Sequence, residues 1–263
     1  MVNGRAVRTP QTELVPGDRL AVVPAATPVT LQRVGSQRFE IRFEDESLLI
    51  VEKPPGLLTV PTQRNESANL LTLLERYLRP QGLLPECVHR LDRGVSGLLV
   101  FAKRAEIAER LRDQFADRKP DRMYLAFARG KVLSKEGTIR SFLATDEHLN
   151  RYSTSDESKG QLAITHYRVL RTWGDLASQI ELRLETGRRN QIRVHLAEAG
   201  HPLWGDTRYG RSLPPHRYWP YQRVALHAAR LGFDHPLTGS RLVFESRMPR
   251  EFHEFVQKLD AHR

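Results

Sequence analysis

The chain reads as an α+β domain built on a largely antiparallel, mixed sheet flanked by helices and loops, and three observations carry that expectation. Short apolar runs of strand type recur along most of its 263 residues. Stretches with helical spacing are few. The two do not alternate in the regular way that a doubly wound parallel sheet requires. In order, Leu48-Leu49-Ile50-Val51 is a buried-strand run, ended by Lys53-Pro54-Pro55-Gly56, where proline cannot continue a ladder. Ser67 stands where it can cap a helix to about Leu78, with Leu70, Leu71, Leu74, Tyr77 and Leu78 on one face. A central strand over 97–103 precedes Ile107, Ala108, Leu111 and Phe115, which are helically spaced within 104–117. Tyr124–Arg129 is strand-like, and the polar, charged stretch 144–160 reads as an exposed loop or hairpin. Residues 161–171 and 178–185 return to strand character; Ile180, Leu182 and Leu184 alternate with Glu181, Arg183 and Glu185. A helix is expected from about Asn190 to Glu198, stopped by Gly200 and Pro202. After an irregular proline-rich stretch at 213–220 come strands near 223–232 and 241–246, then a terminal helix carrying Phe252, Phe255, Val256 and Leu259.

The segment before this domain has its own character. Residues 1–23 hold an Asn3-Gly4 turn and a Pro16-Gly17-Asp18 turn between short apolar stretches. They resemble the tail of an S4-type RNA-binding domain and are read as a partial S4-like remnant, a plain hairpin being the alternative. Residues 24–37, with Pro24, Pro28 and Gly35, read as a linker, and 38–263 as one catalytic domain.

Composition narrows the class. The length suffices for a sizeable core, no apolar stretch reaches the roughly 18 residues of a membrane span, and no signal-peptide pattern opens the chain. One cysteine, Cys87, leaves no internal disulfide and fits a reducing cytoplasm. A net charge of +10 and a pI near 10.1 point to a polyanionic partner. Only seven of the 41 basic residues are lysine; the arginine fork grips phosphate bidentately and stacks on bases, which suits RNA.

The chemistry centres on residues 88–103. Val88-His89-Arg90-Leu91-Asp92-Arg93-Gly94-Val95-Ser96-Gly97 sets a carboxylate between two arginines, follows it with a glycine-bounded turn and enters the apolar run Leu98-Leu99-Val100-Phe101. The bland reading is that Asp92 caps a turn and pairs with Arg90 or Arg93. The pattern His-Arg-Leu-Asp-Arg-x-x-Ser-Gly, however, resembles the catalytic motif of RNA pseudouridine synthases of the RluA family. The resemblance extends over about 44–250. Glu44 to Pro54 is similar to the family's opening strand with its Lys-Pro ending, and Arg122-Met123-Tyr124-Leu125-Ala126 to the segment supplying its active-site tyrosine. Thr186-Gly187-Arg188-Arg189-Asn190-Gln191-Ile192-Arg193-Val194-His195 is similar to its third motif, followed by Gly200-His201-Pro202-Leu203-Trp204-Gly205-Asp206 and Tyr209-Gly210. Asn190 stands where the family usually has histidine and Val95 where threonine is common; Asn190 can still cap the following helix.

The resemblance implies a pseudouridine synthase fold, a cleft across the sheet, and isomerisation of uridine in structured RNA, ribosomal or transfer. The bond from ribose C1′ to uracil N1 breaks, the base turns, and C5 is joined to the sugar. Detached uracil spreads its charge over the ring, so it leaves with little protonation. A carboxylate can stabilise or trap the electron-poor sugar, and attack at uracil C6 is the rival route. Asp92 takes the role of nucleophile. Kept ionised where water is excluded, it needs a cation beside it, which the resemblance makes Arg193. Arg90 fills the gap left by a flipped uridine, a base whose extrusion costs a few kcal/mol. Tyr124 offers a ring to the uracil and a hydroxyl for proton transfer, and Ile192 packs against the base. Arg93, Arg188, Arg189 and Gln191 are read as holding phosphates or bases, with a solvated, charged turn as the alternative.

His89, His195, His201, His227 and His235 form no metal-ligand spacing, and no phosphate loop or dinucleotide fingerprint occurs, so neither metal nor cofactor is expected. A monomer is the default. A non-catalytic RNA-binding protein and a nucleosidase releasing free uracil are the competing functions; no second carboxylate appears in the matched motifs, which counts against the nucleosidase.

Overall fold

In a computed structural model the described residues are 30–34, 37–62, 68–117, 120–210 and 217–261. The S4-like segment 1–23, most of the expected linker, Ser67 and the first half of the proline-rich stretch lie outside them.

The strands are β1 Thr30–Val34, β2 Gln37–Glu44, β3 Leu48–Lys53, β4 Glu86–Cys87, β5 Ser96–Ala102, β6 Asp121–Arg129, β7 Glu136–Thr145, β8 Arg151–Thr154, β9 Gln161–Trp173, β10 Ala177–Leu184, β11 Leu226–Asp234 and β12 Arg241–Glu245. The helices are α1 Leu70–Leu78, α2 Ala105–Ala116, α3 Gln191–Glu198 and α4 Arg250–Asp260. The strands join one sheet in the order β1-β2-β3-β5-β11-β6-β10-β9-β7-β8, with β4 added to β5 and β12 to β11. Neighbours run antiparallel except β5 and β11, which pair in parallel through Ser96 with His227 and Gly97 with Ala228. The expected α+β class and mixed, largely antiparallel sheet are observed.

One expectation is corrected. The linker read over 24–37 is strand from Thr30 to Val34, paired antiparallel with β2 from Thr30–Ile41 to Val34–Gln37. The polar stretch near 150 is a hairpin, β7–β8. Helix α1 starts later than expected because Asn69 caps it, its Oδ1 accepting from Thr72 N at 3.0 Å.

Two-residue periodicity explains how the central strands are buried on both faces. Leu49 and Val51 of β3 and Leu99 and Phe101 of β5 join the cluster that includes α1 and the catalytic side. Leu48, Ile50, Leu98, Val100 and Ala102 point the other way, onto Ile107, Ala108 and Leu111 of α2. A third cluster sets Trp173, Trp204 and Trp219 with Phe127 around Phe252 and Phe255 of α4. On the first face Tyr124, Ala126 and Ala128 of β6, Ile180 and Leu182 of β10, and Leu226 and Ala228 of β11 share a layer with Ile192 and Leu196 of α3. Gly97 makes the parallel junction possible: its φ is +118°, and a Cβ there would lie 2.2 Å from Ala228 O.

Candidate active site

Asp92 sits in the loop that feeds β5, at the join between the two halves of the sheet. The loop is held by groups on either side of the carboxylate. Thr59 Oγ1 donates to Leu91 O at 2.7 Å and accepts from Leu91 N at 3.1 Å. Gly56 N donates to Arg93 O at 2.7 Å, Arg93 Nε returns a bond to Gly56 O at 3.1 Å, and Val95 N closes a turn onto Asp92 O at 3.0 Å. Behind it, fully buried Lys53 donates to Pro54 O at 2.9 Å and Leu57 O at 2.7 Å. Burial and the neighbouring charge of Arg223 push the Lys53 ammonium down to about 7, against the pull of Asp92.

Helix α3 brings the partner. Arg193 Nη1 donates to Asp92 Oδ2 at 2.8 Å. Its other edge faces Asp206: Nε donates to Oδ2 at 2.7 Å and Nη2 to Oδ1 at 2.8 Å. The Asp206 side chain is 0% exposed, against 11% for Arg193 and 23% for Asp92. Burial works against the Arg193 charge, but the hydrogen bonds and charge of Asp206, then of Asp92, more than offset it and hold the guanidinium firmly protonated. The Asn190 amide completes the setting. With its nitrogen 3.2 Å from Asp92 Oδ1, its oxygen accepts from Arg193 Nη1 at 3.3 Å and from Tyr209 Oη at 3.2 Å.

Asp92, Arg193 and Asn190 line an open cleft together with Tyr124, Ile192, Leu226, Arg90 and Arg188. Tyr124 lies between Leu182 of β10 and Ala228 of β11 and is buried. Burial raises its phenol above the ordinary value; Arg122 opposes that and the charge of Asp92 adds to it. The phenol is therefore neutral and a donor in the physiological range. Ile192, also buried, gives the cleft an apolar wall. The result is a cleft with Tyr124, Ile192 and Leu226 on its apolar part and the Asp92 carboxylate among its polar groups, so that a planar ring on the first part would meet an anion at its edge.

The arginines at the mouth divide. Arg90 is exposed and lines the opening. Burial lowers the pKa of Arg151, and the charges of Arg189, Arg188 and Arg90 lower it further, against a pull from Tyr209, so four cations converge here. Arg188 Nε donates to Leu162 O at 3.0 Å, and Arg189 Nη2 donates to Leu149 O at the tip of the β7–β8 hairpin. Arg208 joins that tip through Asn150 Oδ1 at 2.9 Å and Leu149 O at 3.0 Å.

Thus Asp92, Arg193, Tyr124, Ile192 and Arg90 are brought together. Arg93 is not: its side chain turns to the Gly56 loop. Gln191 lines the cleft, but its amide is spent inside the protein. Thr186 Oγ1 and Arg188 N donate to Gln191 Oε1 at 2.8 and 3.0 Å, and Gln191 Nε2 donates to Ile164 O and Thr165 Oγ1, each at 2.9 Å. Asn190 stands at the N-cap of α3 as expected, but its side chain makes no capping bond: it adopts a left-handed φ of 60°, which asparagine tolerates, and its amide turns to Asp92. Sequence reasoning passed over Thr59 and gave no role to Asp206 and Tyr209. Asp206 follows a glycine in a turn, a pattern shared by many solvated loops, so only its place in the matched motif could have marked it.

Residues 47–198 match the family described as RNA pseudouridylate synthase. The chain belongs to that family, a class of isomerases acting on RNA. Among its relatives, the ribosomal large subunit pseudouridine synthase D of Zymomonas mobilis is 40% identical over 224 residues, covering 81% of this chain and 70% of the relative. An uncharacterized RNA pseudouridine synthase of Bacillus subtilis is 34% identical over 267 residues, covering 98% and 85%. The solved human RNA pseudouridylate synthase domain containing 4 has the same fold, with a TM-score of 0.69 at 22% identity over 84% of this chain and 92% of that one.

Proposed function

We propose that this protein converts uridine to pseudouridine in large-subunit ribosomal RNA, with Asp92 as its nucleophile. The observation that carries the reading is the Arg193-held carboxylate at the edge of a slot walled by Tyr124, Ile192 and Leu226. The RNA target follows the printed activity of relatives such as the Zymomonas mobilis enzyme.

In the reaction an Asp92 oxygen bonds to ribose C1′ as the C1′–N1 bond breaks, and uracil departs as a delocalised anion. The base turns in the slot. C5 then bonds to C1′ as the Asp92 ester breaks, the C5 proton leaves, and N1 takes one up. Attack at uracil C6 uses the same carboxylate. Tyr124, Ile192 and Leu226 turn apolar surface to the base and limit the water beside the sugar, so that the sugar is recaptured by the base and not hydrolysed. Tyr124 stacks on the ring, and its neutral phenol can hand a proton on; a standing phenolate so deeply buried is unfavourable. Arg90, exposed at the opening, is placed to stack in the gap of the flipped nucleotide, and Arg151 and Arg188 supply positive charge for the backbone.

Incubating the protein with large-subunit ribosomal RNA that lacks its modifications, digesting to nucleosides and separating them tests this directly. Pseudouridine, appearing as uridine falls by the same amount, is the expected product. Free uracil would mean a nucleosidase, and tight binding with unchanged nucleosides a binding protein.

A further inference from the structure

The geometry points to Asp206 as a positioning residue that sets how much of the Arg193 guanidinium reaches Asp92, an inference that rests on Asp92 being the nucleophile. One cation serves two carboxylates, and they do not share it equally. Asp206 takes the planar edge, Nε and Nη2, in the two-bond arrangement that carboxylate and guanidinium prefer. Asp92 takes only Nη1, on one oxygen.

Asp206 is built to keep its share. Its side chain is wholly enclosed, and Oδ1 also accepts from Arg208 N at 3.0 Å and Tyr209 N at 3.1 Å. Its own N–H donates to Leu203 O at 3.1 Å. The Tyr209 ring lies 5.2 Å from the guanidinium carbon and limits the tilt of the fork. Arg193 is thereby clamped at one edge, with a single N–H pair left to aim at the cleft.

The consequence is chemical. A guanidinium free to turn would grip Asp92 by both oxygens, withdraw its negative charge and cover the lone pairs that must reach C1′. Held by Asp206, it fixes one Asp92 oxygen and, among the described residues, leaves the other facing the neutral Asn190 amide. Asp206 also adds a second negative charge beside Asp92, which keeps the nucleophile electron-rich.

The test is a single-turnover measurement of tritium release from a C5-tritiated transcript of large-subunit ribosomal RNA, with wild type and Asp206→Asn. Circular dichroism checks folding, and filter binding gives the affinity for the same transcript. The variant is expected to lose at least about 30-fold in rate with RNA affinity within about threefold. A rate within threefold of wild type overturns the role, and so does a loss of RNA affinity in proportion to the rate, which is what a merely structural residue gives. If Asp206→Asn does not fold, Arg193→Lys replaces it, keeping the charge without the planar fork. A loss of about 30-fold at unchanged affinity then supports the proposal, and a rate within threefold overturns it. Wild type inactive on the transcript and on total cellular RNA overturns the isomerase reading itself and the Asp206 role with it.

Discussion

Asp92 owes its position to residues distant in sequence: Thr59 and Gly56 fix the loop, and Arg193 and Asn190 fix the carboxylate. The motif around Asp92 could be singled out through its resemblance to the family's catalytic pattern, since a carboxylate between two arginines fits a turn cap equally well. Arg93 and Gln191 were misread for a physical reason. A polar side chain in a charged turn gives one sequence signal whether it bonds RNA or closes the protein's own backbone. Gln191→Ala strands three buried partners and the half-buried Arg188 N–H, so thermal or urea unfolding should show a loss of about 3 kcal/mol. Tyr124 separates ring from hydroxyl. Tyr124→Phe keeps the packing and should lower the single-turnover rate by about 100-fold with little change in melting temperature. An unchanged rate would leave the hydroxyl without a chemical role.

At the scale of elements, most strands and helices could be read from periodicity, since β3, β5, β6 and β10 carry clear alternating or continuous apolar runs. Strand β1 could not: its pairing with β2 is a tertiary fact, and flanking prolines and glycine look the same around a linker. The order β5-β11-β6 was equally hidden, because it joins strands more than 100 residues apart. That junction determines the site, as it sets the Asp92 loop beside the Tyr124 strand. Gly97 allows the close approach. Gly97→Ala would force a Cβ into the Ala228 backbone, so the variant is expected to lose several kcal/mol of stability, on the scale of other overpacked cores, and to lose activity with it. A melting temperature equal to wild type would show that the junction tolerates a side chain.

For the molecule as a whole, two buried histidines tie stability to pH. His195 lies between Thr165 Oγ1 and Ser141 Oγ, and His227 between Ser96 Oγ and Ser246 Oγ. Burial pushes them down to about 4 and about 3. Because these folded values lie below the ordinary histidine value of 6.5, their contribution is fully present above that pH, declines progressively as pH falls below it, and is gone once pH has fallen through about 4 for His195 and about 3 for His227. Urea unfolding at about pH 7.5 and about pH 5 should differ by about 2 kcal/mol per histidine; equal stabilities would mean that both are already protonated in the folded state. The net charge of +10, legible from composition alone, should appear as RNA affinity that falls steeply with salt.

The central claim is that the Arg193-held carboxylate performs an isomerisation on RNA. Its most direct test is tritium release from C5-labelled large-subunit ribosomal RNA by wild type and Asp92→Asn side by side, with RNA affinity measured for both. Release by wild type, none by Asp92→Asn, and affinities within about threefold are the expected result. Release by Asp92→Asn at the wild-type rate would contradict the account, because the nucleophile would then have to be another group.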